Sequence, residues 1–408
     1  MAKQHPSFPS SQRPAGRPAP AQARSPKADY SSSTISQLGP MITLLPNKLY
    51  LRFHKGKDET VREILRHEGA FFFSSAHDKY RPYCSDFGPI DLSTVVAICR
   101  ELRALLANPL LDNRPVIYYA YCNGAEQTNA AFALASYMML VEGRTPEEAW
   151  APFARVEPSP WIQFRDATHL QSDFDLSILD CLHGLARGRE ECFFSLDEMD
   201  VDEFRANDDL GVSSICPKFV AFKGPYAGPK KPSWALEPAA YMEALDSTGV
   251  TDVVRLNEAS SYDACEFTEQ GMVHHDLEFK DCSTPPLPIV TEFMRICNEA
   301  EGTVAVHCLA GLGRTGTLIG LWLMAQHHWK ARETIGWLRI VRPGSVIGAQ
   351  QHFLVAVEGA LSGTPSPLFD APADEASSNT RTSAMAAQRA EEVTQGLARR
   401  TQLSGASK

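Results

Sequence analysis

The sequence predicts an α/β protein made of two similar domains in tandem, each a central, mostly parallel sheet flanked by helices. Three observations carry this expectation. Hydrophobic residues make up 44% and charged residues 22% of the 408 residues, which is globular usage in a chain long enough for two or three domains. Short strand-like apolar runs alternate with longer helix-like ones, the pattern of a parallel sheet with helical crossovers. One strand, loop and helix unit also occurs twice, about 187 residues apart.

Taken in order, residues 1–40 hold seven prolines, eight serines, five Lys/Arg and a single acid, Asp29. Burial there cannot repay the entropy of ordering, so a disordered tail is expected. The prolines also spoil the amphipathic helix of an organelle transit peptide. Residues 41–195 are expected to form the first domain, with Val116–Tyr121 as a β-rich run, Cys122–Gln127 as a loop and Ala130–Leu140 as an apolar helix. Residues 196–215 read as an acidic interdomain linker, because Asp197, Glu198, Asp200, Asp202, Glu203, Asp208 and Asp209 accompany no apolar period. On its own such a run is a solvated face. Residues 216–362 form the second domain, where Thr303–His307 is a short buried strand, Cys308–Arg314 a loop and Thr315–Gln326 an apolar helix. Residues 363–408 are expected to be a second disordered tail, with a short helix near Ala384–Arg399 that nothing obliges to pack. Ser25-Pro26, Thr364-Pro365 and Ser366-Pro367 in the tails are candidate acceptors for proline-directed kinases.

The formal charge of −10, from 39 basic and 49 acidic residues, argues against a nucleic-acid partner and suits a basic one. No apolar run reaches the length of a membrane span, and the first 40 residues lack a secretory h-region. The expected compartment is therefore nucleus or cytoplasm. Ten cysteines without a C-x-x-C pair predict buried thiols rather than a zinc site or a disulfide framework.

One thiol stands apart. His307-Cys308-x5-Arg314-Thr315-Gly316 places a cysteine between a strand end and a helix N-terminus, where backbone N–H groups and the helix dipole attract an anion. The same field favours the thiolate, which is the nucleophilic form. Leu309, Ala310, Gly311, Leu312 and Gly313 form the loop, and its glycines permit close approach of backbone to a phosphate. The planar fork of Arg314 can bind two phosphoryl oxygens, and Thr315 can hydrogen-bond the sulfur. No metal or other cofactor is called for, since Arg314 and the loop supply the positive field.

Val306–Gly316 resembles the phosphate loop of the cysteine-dependent protein tyrosine and dual-specificity phosphatases. Further motifs at 86–89, 129–132, 144–149, 274–277, 283–285 and 342–348 are similar to the cell division cycle fourteen phosphatases, and the resemblance covers roughly 40–357. It implies two dual-specificity-phosphatase-like domains of which only the second is catalytic. Alignment of the two loops agrees, for Tyr121 falls opposite Cys308 and Gln127 opposite Arg314. The first domain then frames the substrate.

The resemblance also assigns roles. Asp281, 27 residues before Cys308, matches the general acid, although alone it reads as a turn or cap. Gln350 or Gln351 matches the residue that positions the hydrolytic water. Asp200, Glu203 and Asp209 match linker acids that bind substrate, with Asp in place of Glu at the first position. The implied partners are phosphoproteins carrying phosphoserine-proline with a basic residue downstream, as left by cyclin-dependent kinases, and more loosely phosphotyrosine. Implied settings are mitotic exit, cytokinesis or cilium control, at a spindle pole, centrosome or cilium base.

Two positions depart from the family pattern. Leu309 replaces a Lys after the nucleophile, removing a cation, and Cys282 replaces a Gly after the acid. Cys282 is either a small tolerated loop residue or a thiol able to cross-link to Cys308. Other readings of the loop are a phosphoinositide or RNA 5′-triphosphatase, disfavoured by the acidic charge, and an inactive phosphoprotein scaffold, disfavoured by intact Cys308, Arg314, Thr315 and Asp281.

Overall fold

The structure is a computed structural model and describes residues 40–74, 79–168, 171–229, 231–361 and 385–396. The expected N-terminal tail up to residue 39 and all three Ser/Thr-Pro dipeptides lie outside the described residues.

The N-terminal half builds a four-stranded sheet from β1 (Ile42–Leu45), β2 (Leu49–His54), β3 (Phe71–Phe73) and β4 (Val116–Tyr121), in the order β1-β2-β4-β3. β2, β3 and β4 run parallel, and β1 closes an antiparallel edge. Its helices are α1 (Lys57–Arg66), α2 (Leu92–Leu106), α3 (Gly124–Leu140), α4 (Pro146–Ala154) and α5 (Ile178–Glu190), with the small pair β5 (Phe164–Arg165) and β6 (Asp175–Leu176) before α5. Local chemistry sets several of these starts. Asp91 caps α2, and reciprocal boxes open α4 (Thr145 with Glu148) and α5 (Ser177 with Asp180).

The C-terminal half contains α6 (Val201–Leu210), β7 (Val212–Cys216), β8 (Phe219–Phe222), α7 (Met242–Ser247), β9 (Val250–Arg255), α8 (Cys265–Thr268), β10 (Val273–Asp276) and α9 (Leu287–Glu299). It continues through β11 (Thr303–His307), α10 (Gly313–His327), α11 (Ala331–Val341) and α12 (Ala349–Leu361). Its strand order is β10-β9-β11-β8-β7, parallel except for β7. The two sheets are built alike. In each, an antiparallel pair leads the sheet, and the strand beside it (β4 or β11) feeds a loop and a long apolar helix (α3 or α10). The duplication read in the sequence is therefore a topological one.

Two sequence expectations are corrected. Residues 196–215 were expected as an acidic linker, yet they hold α6 and most of β7. Asp200 caps α6, Asp202 and Glu203 sit in its first turn where the dipole favours negative charge, and Gly211 ends it at φ 85°. The half-buried Val201 and Phe204 supply the apolar contacts that a strict period does not reveal. Residues 363–408 were expected as a disordered tail with a short helix near 384–399 that need not pack. The helix is there, α13 at 385–396, but it docks, with Ala386, Ala387, Ala390 and Val393 buried in the main core. A stripe of small side chains lets the backbone come close, as at Gly396, where an added Cβ would lie 2.5 Å from Leu287 of α9. Small residues carry little hydropathy, so the sequence showed the helix but not its docking.

The two halves share one core. Leu182 and Leu185 of α5 belong to the same apolar cluster as Trp337 and Leu338 of α11. A Cβ at Gly184 would lie 2.4 Å from the Glu333 carbonyl, and one at Gly336 2.9 Å from that of Asp180. The Trp337 indole N–H donates to the Ile215 carbonyl at 3.1 Å in the interior.

Candidate active site

β11 lies inside the sheet and delivers Cys308 at its C-terminal end, the usual position for ligands in parallel sheets. Cys308 is buried. The next residues fold back so tightly that Gly311 adopts φ 67°, and a Cβ there would lie 2.0 Å from the Phe222 carbonyl. α10 opens at Gly313 with no side-chain cap, leaving its amide donors for an anion. The loop carbonyls face away and are held by Arg342, whose buried guanidinium donates to Gly311 O at 2.7 Å and Ala310 O at 3.1 Å. The same side chain reaches Gly211 O at 3.1 Å and Ser213 Oγ at 3.0 Å, joining the end of α6 to the phosphate loop.

Arg314 is 4% exposed. Its Nη1 donates to the Leu256 and Phe279 carbonyls, both at 2.9 Å, and its Nη2 pairs with Asp281 Oδ1 at 2.9 Å. Its Nε, like the Thr315 hydroxyl, is buried without a hydrogen-bond partner among the described residues. A buried donor on a permanent cation is costly when unmet, and here it stands in an anion cradle. Asp281 is exposed on its loop. The structure thus brings Cys308, Arg314, Thr315 and Asp281 together with residues 309–313.

Beneath the loop a polar chain fixes the strand end. The Tyr262 hydroxyl lies 2.7 Å from His307 Nε2 and 2.9 Å from His274 Nε2, and His307 Nδ1 is 3.2 Å from the Cys308 carbonyl. A carbonyl only accepts, so His307 carries its proton on Nδ1, Tyr262 donates to His307 and His274 donates to Tyr262. Burial holds both imidazoles neutral, His307 pushed down to about 3 and His274 to about 4.

Gln350 and Gln351 are both buried but differ in task. Gln350 accepts from the Ile347 N–H at 3.1 Å and donates to the Ser283 carbonyl at 3.1 Å, bridging the acid loop to Gly313, where a Cβ would lie 2.8 Å from its Oε1. Gln351 is spent on structure, accepting from Arg339 at 2.5 Å and donating to the Gly348 carbonyl at 3.3 Å. Cys282 has φ 55°, a conformation that suits the glycine it replaces. Burial and the adjoining Asp281 raise its thiol, which leaves less thiolate for attack on another sulfur.

The predicted acids separate. Asp200 accepts the Asp202 and Glu203 N–H groups at 3.0 Å as the α6 cap. Neither Asp200 nor Glu203 lines the interdomain cleft of about 720 Å³, whereas Asp209 does. Asp208 and Asp91 join Asp209 there, opposite Ala310 and Leu312 of the phosphate loop. Burial raises the Asp208 carboxyl against the pull of Arg342, and Asp91 and Asp209 push it the same way. The first half also contributes Arg81, 3.7 Å from Asp209, and Tyr83, whose phenol is raised by burial and by the charges of Cys308 and Asp281. Sequence reasoning missed Asp208, Tyr83 and Arg342. Asp208 was within reach, since helical spacing puts it one turn after Phe204, but Tyr83 and Arg342 act across the tertiary interface and left no local signal.

Comparison with known proteins gives two family matches. Residues 43–188 match the family described as "Dual specificity protein phosphatase, N-terminal half", and residues 235–358 match "Dual specificity phosphatase, catalytic domain". Among curated proteins, the human Dual specificity protein phosphatase CDC14A is 40% identical over 290 residues, covering 69% of this chain and 48% of the relative. The Dual specificity protein phosphatase CDC14B of Mus musculus is 39% identical over 291 residues, covering 69% of this chain and 59% of the relative. The chain thus spans about half the length of the curated relatives it matches. Among solved structures, Tk-PTP in the active form is similar at 22% identity with a TM-score of 0.31, covering 36% of this chain and 95% of that one.

Proposed function

Since the chain belongs to the CDC14 family of dual-specificity protein phosphatases, we propose that it hydrolyses phosphoserine before proline, and phosphotyrosine, through a cysteinyl-phosphate intermediate. The observation that carries this is the buried Arg314 in the first turn of α10, paired to Asp281 and with its Nε unmet among the described residues.

The Cys308 thiolate attacks phosphorus in line, and the phosphorus–oxygen bond of the substrate breaks. Arg314 and the loop amides hold the non-bridging oxygens, whose charge grows in the transition state. Asp281 gives its proton to the leaving oxygen. The incoming phosphate competes for the Arg314 donors and so releases Asp281 from its pair. In the second step Asp281 takes a proton from water, which attacks the phosphocysteine and returns phosphate and thiolate. Gln350 is the better placed of the two glutamines to orient that water, since its amide already spans the acid loop and the start of α10.

Substrates lie along the interdomain cleft, where Asp208 and Asp209 offer charge to a basic residue beyond the proline. Asp200 and Glu203 contribute through the capping of α6 rather than by touching the peptide. Such substrates are those of cyclin-dependent kinases, and on this reading the protein takes part in cell-cycle control.

The test is phosphate release from paired peptides, pSer-Pro-x-Lys and pSer-Ala-x-Lys, by wild type, Cys308→Ser and Asp208→Asn/Asp209→Asn. Cleavage confined to the proline peptide, with KM raised by charge removal and activity lost in Cys308→Ser, is the expected result. Cleavage of a phosphoinositide or RNA phosphate but neither peptide would overturn the substrate assignment.

A further inference from the structure

The degenerate loop of the first half adjoins a cavity of about 270 Å³. It lies where β4 gives way to α3, the position that β11 and α10 occupy around the phosphate loop. Its walls are largely apolar and aromatic, among them Tyr80, Phe87, Ile90 and Tyr119.

Most of its polar groups are committed. Asp86 accepts from the Tyr80 hydroxyl and the Cys84 N–H, Asn129 is held by the Ile90 N–H and the Gly88 carbonyl, and the Asn123 oxygen caps α3. Glu126 is different. Its Oε1 takes Lys79 Nζ at 3.0 Å, while its Oε2 is buried with no hydrogen-bond partner among the described residues. Lys79 is itself 65% exposed, a loose counter-ion that can swing to solvent. In the loop alignment Glu126 stands opposite Gly313, and Gln127 opposite Arg314. A cradle built for an anion in the second half presents a carboxylate in the first.

We propose that this cavity is a second recognition pocket, which takes the basic side chain of a peptide, arginine or lysine, with the aliphatic stem against the aromatic wall and the cationic head on Glu126 Oε2. An unmet buried carboxylate oxygen in an apolar cavity selects a cation on an apolar stem. The cavity shares Lys79, Tyr80 and Pro82 with the interdomain cleft. A chain bound in that cleft can therefore place a distal residue in the cavity while its phosphate lies at Cys308. The pocket is separate from the α6 acids, and only its naming as a substrate subsite rests on the phosphatase reading.

The experiment uses the full chain and phosphopeptides of neutral background that carry a single arginine, moved position by position away from pSer-Pro. Wild type, Glu126→Gln and Ala125→Leu, which fills the cavity and keeps the carboxylate, are compared, with a small aryl phosphate as the control substrate. At one arginine position wild type has a KM about tenfold below that for the norleucine peptide, and both variants lose the advantage with kcat and aryl phosphate turnover unchanged. If every arginine position responds alike in wild type and both variants while the aryl phosphate is cleaved, the pocket assignment is wrong. If wild type cleaves no aryl phosphate, the phosphatase reading fails instead, and binding of the unphosphorylated fluorescent arginine peptides decides the pocket: affinity lost in both variants upholds it, and unchanged or absent binding overturns it.

Discussion

At the residue scale the site turns on how one guanidinium is shared. Arg314 spends Nη1 on two carbonyls and Nη2 on Asp281, and leaves Nε without a partner among the described residues. Asp281 restrains Arg314 through this pair, and the proposed mechanism also makes it the proton donor. Asp281→Asn is expected to lower kcat by roughly 10² to 10⁴ for a phosphoserine peptide, whose alkoxide leaving group needs a proton. With p-nitrophenyl phosphate the loss should be far smaller, because p-nitrophenolate leaves without help. Equal losses on both substrates, measured at saturation, would assign Asp281 to restraint of Arg314 alone. Cys308, Arg314 and Thr315 were legible as a contiguous motif. Which glutamine faces the site was not, because adjacent residues on a helix point about 100° apart and only packing decides which one turns inward.

At the element scale, two segments that composition marks as polar or low in hydropathy are built into the fold. α6 is held by its cap at Asp200 and by Arg342, which ties Gly211 to the carbonyls of the phosphate loop. The end of α6 and the loop after Cys308 are thereby set on one brace. α13 is held by its alanine stripe, and Ala390 is fully buried. Ala390→Asp should undock this helix, since an unpaired buried carboxylate costs more than an exposed helix loses. Limited proteolysis should then cut within 385–396 in the variant and not in wild type, and identical digestion patterns would refute the docking.

The His274, Tyr262 and His307 chain gives a second prediction at this scale. Both folded values, about 4 and about 3, lie below the value of an unfolded histidine. As pH falls through about 6.5 the unfolded chain takes up protons that the folded chain refuses, so stability is complete above that pH and declines on acidification. The buried His307 contributes a slope of up to about 1.4 kcal/mol per pH unit between those limits. Denaturant midpoints at pH 5 and pH 7 should differ in that direction, and less so in His274→Phe. A midpoint that rises on acidification would rule out neutral imidazoles.

At the scale of the whole molecule the two sheets are one unit, because α5 and α11 meet at glycines and seal a common core. A side chain at Gly184 would strike backbone atoms of Glu333 and Trp337, at 2.4 and 2.5 Å, and backbone cannot swing aside. Gly184→Val should cost about 3 kcal/mol or more, seen as a lowered Tm and a thermal transition split into two. Gly56→Ala, at a position with open space around it, is the control. A single unshifted transition in Gly184→Val would show that the halves do not depend on this contact.

The sequence by itself determined the α/β class, the duplication and the loop that holds Cys308, because hydrophobic period and a contiguous motif are properties of neighbours along the chain. Asp281, which alone reads as a turn or cap, was picked out only by its family motif, and Asp208, Tyr83 and the different partners of Gln350 and Gln351 were left unread. Only the tertiary structure decided that 196–215 and 385–396 are structural, that Arg342 braces the phosphate loop, and that the first half presents Glu126 where the second presents its anion cradle. These depend on close approach between segments from about thirty to more than a hundred residues apart, and no local pattern encodes which distant surface a small residue or a lone charge will meet.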